Sequence, residues 1–239
     1  MLKRILLACF AITSFPIISL AAIHPVVTAS SGFIKANVYS SQSIMFGSYP
    51  NSYIGTSHYD TENESGLFIG GEADLPQNWS LQVGLSYFEN GAFSENGNVY
   101  QFGDPNYNNL TYSYQIKTHR VSIDTKLAHL FHEIWHPYVS ASIGEAFNEA
   151  YGYTETPVTE TDAPMTDSFA SHSTHSSTYS VGLGIDVDIA NHLRLGAGYR
   201  FLNLGNASLG TTSLQSGTNT IHNNQIHANE LLAQISYIG

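Results

Sequence analysis

The sequence predicts an all-β protein. More specifically, it predicts an eight-stranded antiparallel up-and-down transmembrane β-barrel, with short periplasmic turns at one end and four long extracellular loops at the other. Three observations predict it. From residue 32 onward, apolar residues recur at every second position and no helical period is sustained. The connections alternate between a few residues and stretches of about twenty, a length asymmetry that membrane barrels show and compact soluble domains rarely do. One of the two strand faces carries no charge through the central stretches.

Bulk composition agrees. The chain has 239 residues, of which 42% are hydrophobic and only 11% charged, under half of the roughly one quarter usual in soluble domains. The length suits one domain or one barrel. A formal net charge of −11 argues against a nucleic-acid partner, whose phosphates would be repelled. Cys9 is the only cysteine, so a chain processed after it has no disulfide or thiol chemistry.

Taken in order, residues 1–21 read as a secretory signal peptide. Lys3 and Arg4 form its cationic end, residues 5–18 its apolar run, and Ser19-Leu20-Ala21 its small-x-small cleavage pattern. Residues 22–31 are expected to be a short periplasmic N-terminal segment, and residues 32–239 the barrel domain. Strands are expected at about 32–46, 65–76, 78–90, 112–131, 136–150, 174–190, 192–205 and 224–238, each on its alternation. Trp79, Leu81, Val83, Leu85 and Tyr87 oppose Ser80, Gln82, Gly84 and Ser86. Tyr179, Val181, Leu183, Ile185, Val187 and Ile189 oppose a face of Ser, Gly and Asp, and Leu193, Leu195, Ala197, Tyr199 and Phe201 oppose Arg194, Gly196, Gly198 and Arg200.

In a membrane barrel the apolar face meets lipid and the polar face fills the lumen. Ile34, Ala36 and Val38 are thereby expected to point outward with the other apolar sets. Lys35, Glu72, Asp74, Asp124, Lys126, Asp186, Asp188, Arg194, Arg200 and Glu230 are expected inside, with Arg120 at the edge of that set. Buried charges must be paired, so these residues predict an ion-pair network closing the lumen. Aromatics near the strand ends predict two interface girdles: Trp79, Phe131, Trp135, Tyr138 and Tyr237 on the turn side, and Tyr87, Phe147, Tyr179, Tyr199 and Phe201 on the loop side. Glu145 breaks the outward pattern, and the apolar phase of the fourth strand is lost above His119, where that strand should rise above the bilayer.

Residues 132–136 read HEIWH, the spacing of a zinc-protease helix. An alternating strand precedes them and Pro137 follows, which disfavours helix at His136. The stretch is expected to be a periplasmic turn with Trp135 and the imidazoles at the membrane interface. No metal, cofactor or catalytic residue is expected.

The stretches VGLSYFEN (83–90) and GAGYRFLNLG (196–205) and the closing segment 231–237 resemble the small outer-membrane β-barrels of Gram-negative bacteria. These are the OmpA-like, OmpX-like and opacity-protein-like surface antigens, and the resemblance spans residues 32–239. It implies residence in the outer membrane, contact with outer-membrane lipid and lipopolysaccharide, insertion by the outer-membrane assembly machinery, and loops open to host or environmental ligands. Such families end in an aromatic residue, whereas this chain carries Tyr237 followed by Ile238-Gly239. A non-catalytic surface barrel is the expected function. A narrow porin-like channel for small solutes is the alternative. A lipid A-modifying enzyme using the His175-x-Ser177 spacing at the start of the sixth strand is a further one.

Overall fold

The computed structural model describes residues 22–159, 168–215 and 218–239, so the expected signal peptide lies outside the described residues. In chain order the strands are β1 (Ile23–Val38), β2 (Ser41–Phe46), β3 (Tyr49–Gly55), β4 (His58–Leu75), β5 (Trp79–Asn90), β6 (Phe93–Tyr100), β7 (Asn108–His129), β8 (Trp135–Pro157), β9 (His172–Ala190), β10 (Leu193–Asn203), β11 (Ala207–Ser208), β12 (His222–Asn223) and β13 (His227–Ile238). Eight of them form a closed antiparallel ring: β1, β4, β5, β7, β8, β9, β10 and β13, with β13 pairing back onto β1. Closure leaves the barrel no free edge, so every ladder hydrogen bond can be made without water.

The ring starts earlier than the alternation predicts. β1 begins at Ile23, and residues 23–31, expected as a periplasmic segment outside the barrel, pair with β4 on one side and, from Val26, with β13 on the other. The period-two signal fails there because both faces of VVTASS are small or apolar.

The turns at the periplasmic end are tight. Gln77 and Asn78 both have positive φ (62° and 63°) in the three-residue connection between the paired Leu75 and Trp79. His132 and Glu133 also have positive φ (47° and 66°), and Phe131 bridges to Trp135. HEIWH is therefore a hairpin turn rather than a helix. It does not place both imidazoles at the interface as expected. His132 packs edge-on against Phe131, ring centroids 4.1 Å apart, while His136 is only 6% exposed and turns into the barrel.

At the other end the strands run on past the ring. β2 and β3 form a hairpin, β3 pairs with β6, and β6 lies on the upper half of β7. β8 carries a bulge where Gly152 (φ +69°) lets the strand slip by one residue. The connection from β10 to β13 folds inward over the mouth: Asn148 donates to the carbonyls of Leu204 and Asn206 at 2.8 and 2.7 Å. The result is a folded cap built on the loop end of the barrel.

Candidate functional site

Through the membrane-spanning stretch, outward side chains are aliphatic and exposed: Leu67, Ile69, Val83, Leu85, Ile123, Val139, Ile143, Val181, Leu183, Leu195, Leu231 and Ile235. Their exposure is to hydrocarbon, which is what a barrel wall requires. Trp79, Phe131, Trp135 and Tyr237 ring the turn end, and Tyr87, Tyr179, Tyr199 and Phe201 the loop end, all outward and exposed. Tyr138 does not belong with them. It sits one residue out of phase with Trp135 and Val139, so it points inward and is 8% exposed. Its ring lies under the Lys126 ammonium, 4.3 Å from the centroid, and Gln234 donates to its hydroxyl.

The lumen holds its charges in two layers. In the layer nearer the turns, Arg194 bonds Glu72 and Asp188, both at 2.9 Å. His136 Nε2 meets Asp188 at 2.7 Å, Gln82 donates to Glu72 at 2.6 Å, and Lys126 bonds Asp186 at 3.0 Å. In the layer nearer the cap, Arg120 bridges Glu64 and Glu230. Arg200 bonds Glu230 at 2.6 Å and reaches Asp124 at 3.4 Å. Both guanidinium groups lie over one ring, that of Phe88, at 4.4 and 4.3 Å from its centroid. Gly66 makes this possible: a Cβ there would sit 2.2 Å from the Phe88 ring. Between the layers lies a cavity of about 50 Å³, lined by Phe88, Asp124, Lys126, Tyr138, Arg200 and Gln234 among others.

Eight of the ten side chains expected inside meet in these two layers. Two do not. Lys35 faces outward beside Tyr59, 5.1 Å from its ring centroid, while Ile34, Ala36 and Val38, expected outward, are fully buried inside. β1 has by then left the bilayer and entered the cap, where the apolar face turns in. Asp74 has the right parity, but it lies at the open mouth with its side chain 67% exposed, 3.6 Å from His24. Glu64, just before the strand expected at 65–76, and the polar partners His136 and Gln234 were not among the residues expected inside. Parity counted back from Glu72 would have found Glu64.

Above the charged layers the chemistry reverses. Tyr53, Phe93, Leu110, Tyr114, Ile116, Leu204, Leu209, Ile221 and Ile226 pack into one buried apolar cluster inside the cap. Two carboxylates are buried with it, Glu95 and Glu155, and Glu155 accepts from the Tyr153 hydroxyl. Glu95 accepts from Ser40, from Tyr112 at 3.4 Å and from Asn223 at 2.8 Å, and Tyr114 donates to Asn223 at 2.8 Å. These bonds tie β6, β7, β12 and the link between β1 and β2 together. Burial, and then the nearby Glu95 carboxylate, push the hydroxyls of Tyr112 and Tyr114 above the ordinary tyrosine range.

On the outer wall, Glu145 does face outward, at the rim of the aliphatic belt, 3.4 Å from the His175 ring. His175 also packs on Phe147, ring centroids 4.7 Å apart. His175 and Ser177 share this outward face across from Phe147 and Glu145, but the imidazole is engaged with those two residues rather than hydrogen-bonded to the serine.

The sequence model of the outer membrane protein beta-barrel domain matches residues 20–235. The chain belongs to the outer-membrane β-barrel family. Solved structures similar to this barrel include Neisserial surface protein A (14% identity, 89% of this chain and 96% of that one covered, TM-score 0.46). The outer membrane protease OmpT from Escherichia coli is similar at 12% identity, 91% and 96% coverage and TM-score 0.46. OprG from Pseudomonas aeruginosa is similar at 12%, 90% and 95%, and 0.45. No curated protein sequence matches the chain. Membership places this outer-membrane barrel in a Gram-negative envelope, with its turns toward the periplasm and its cap toward the exterior.

Proposed function

We propose that this outer-membrane barrel is a non-catalytic surface protein whose lumen is closed and whose working part is the cap. The observation that carries the reading is the stacking of two ion-paired layers beneath an apolar plug. A solute entering from outside would first have to displace Ile221, Leu209 and Ile226, each at most 1% exposed. It would then have to part Arg120 and Arg200 from carboxylates buried with them, and breaking a buried pair leaves an uncompensated charge. Between the layers there is room for a few waters and nothing larger. The wall sits in outer-membrane lipid, its loop-side rim against lipopolysaccharide headgroups, after export on a cleaved signal peptide and insertion by the assembly machinery.

Planar-bilayer recording of the refolded protein tests this. The expected trace shows no stable single-channel steps at moderate voltage, and a second trace of Arg120→Ala/Arg200→Ala shows brief, noisy openings. Steady, reproducible steps from the unmodified protein would establish the narrow channel instead. Lipid A incubated with the protein is expected to keep its mass; loss of an acyl chain, abolished by Ser177→Ala, would establish a lipid A-modifying enzyme.

A further inference from the structure

At the outermost tip of the cap three rings stand exposed together. Tyr49 comes from the β2–β3 hairpin, and Phe102 and Tyr107 from the β6–β7 connection; they are 62%, 52% and 47% exposed. Phe102 is central. Its ring lies edge-on to Tyr49 and to Tyr107, at 5.4 Å between centroids in both cases. Its backbone has φ 59° and ψ 12°, a left-handed conformation rare for a bulky residue. The conformation is held from both sides: the Phe102 N–H donates to Asn51 at 3.4 Å, and Gly103 (φ +66°) lies against Pro50. Asp104 follows directly, its carboxylate fixed by the backbone and side chain of Asn106, both at 2.9 Å. The cluster is thus rigid, aromatic, exposed and furnished with a carboxylate.

The rest of the molecule shows what such a combination holds. Arg120, Lys126 and Arg200 each lie on an aromatic ring and each bond a carboxylate. Ring plus carboxylate thus seats three of this chain's cations. At the tip the rings and the carboxylate are present, but the chain has no Lys or Arg anywhere from residue 36 to 116 or from 201 to 239. The cap is acidic and its two lysines are engaged elsewhere, Lys35 over the Tyr59 ring and Lys117 on Glu89, so a cation for the tip has to come from another molecule.

We propose that the Tyr49–Phe102–Tyr107 cluster with Asp104 is a docking platform for a lysine- or arginine-rich extended segment of a partner polypeptide. Basic side chains stack on the ring faces, and the acidic cap draws the segment in from a distance. The inference rests on the reading of the cap as surface-exposed, and the test keeps the two apart. The refolded protein in nanodiscs is titrated with fluorescein-labelled octalysine, octa-arginine and octaglutamate, and with unlabelled maltohexaose as competitor, by fluorescence anisotropy.

Saturable binding of both basic peptides and none of octaglutamate is expected. Tyr49→Ser/Tyr107→Ser is expected to weaken binding about tenfold, at two to five per exposed ring, and Asp104→Asn by about threefold. Glu149→Gln, on the outer wall away from the tip, should leave it unchanged. All variants should keep the heat-modifiable band, since the substituted groups are exposed. Equal affinity in the double tyrosine variant would overturn the proposal, because the acidic cap would then bind basic chains without the rings. Displacement by maltohexaose, or no binding of either basic peptide, would overturn it too. A Tyr107→Cys variant on intact cells, treated with a membrane-impermeant maleimide, reports on the surface reading alone: absence of labelling sinks that reading, whereas labelling without peptide binding sinks only the docking platform.

Discussion

The membrane ring and the cap are built from the same strands with opposite chemistry. β7 shows both in one run of 22 residues. Below, Val121 and Ile123 point out to lipid while Arg120, Asp124 and Lys126 point into the lumen. Above, Leu110, Tyr112, Tyr114 and Ile116 point in, each at most 2% exposed, while Thr111, Ser113, Gln115 and Lys117 point out. Parity does not change between the two halves, although the neighbour on one side changes from β5 to β6; what reverses the chemistry is the medium outside the wall. Hydrocarbon demands an apolar exterior and leaves polarity to the lumen, whereas water rewards an apolar interior. Tertiary pairing carries one continuous sheet through both media, and side-chain chemistry switches at the headgroups.

Five substitutions would break or sharpen this contrast, the largest effect first. Arg120→Leu should cost about 3–5 kcal/mol, because it leaves Glu64 and Glu230 buried with a charge removed. A urea midpoint of the heat-modifiable band that stays in place would mean that water reaches these carboxylates. Ile123→Arg should cost about 2–4 kcal/mol at mid-bilayer. Ser113→Arg, on the same outward face of the same strand but beside water, should fall within about 0.5 kcal/mol of neutral. Equal costs for that pair would place the boundary between the regions wrongly.

Tyr114→Phe removes the donor to Asn223 inside the cap and should cost about 1–3 kcal/mol. The expected signature is faster hydrogen exchange around β11 and β12 with unchanged exchange in the belt, so uniform acceleration would show that the two regions unfold as one. Ile44→Val should cost only about 0.5–1.5 kcal/mol, again confined to cap amides.

The same contrast explains what could be read from the chain and what could not. Leu183, Val181 and Ile185 declare their strand and their face, because they lie wholly within the bilayer and the expected rule applies to them. Lys35 and Ile34 were placed on the wrong faces because β1 crosses into the cap between Phe33 and Val38, and a rule written for lipid inverts there. Tyr138 was misassigned for a different reason: nearness to a turn located it along the barrel axis, but only its phase against Val139 decides in from out. Glu64 looked like a loop acid because β4 runs seven residues further toward its start than the alternation of 65–76 shows. His136 is illegible in HEIWH, since its partner Asp188 lies 52 residues away and meets it only across the β8–β9 pairing.

The amino-acid order by itself determined that strands form, that eight of them make the ring and that their connections alternate in length, because period-two patterning and turn residues act locally. Tertiary structure alone decided which carboxylate meets which guanidinium, that Phe88 serves two of them, that the loops fold into an apolar cap, and where along each strand the inside becomes greasy. Those outcomes depend on register between strands far apart in the chain and on where the bilayer ends, and neither quantity is written in any short stretch of residues.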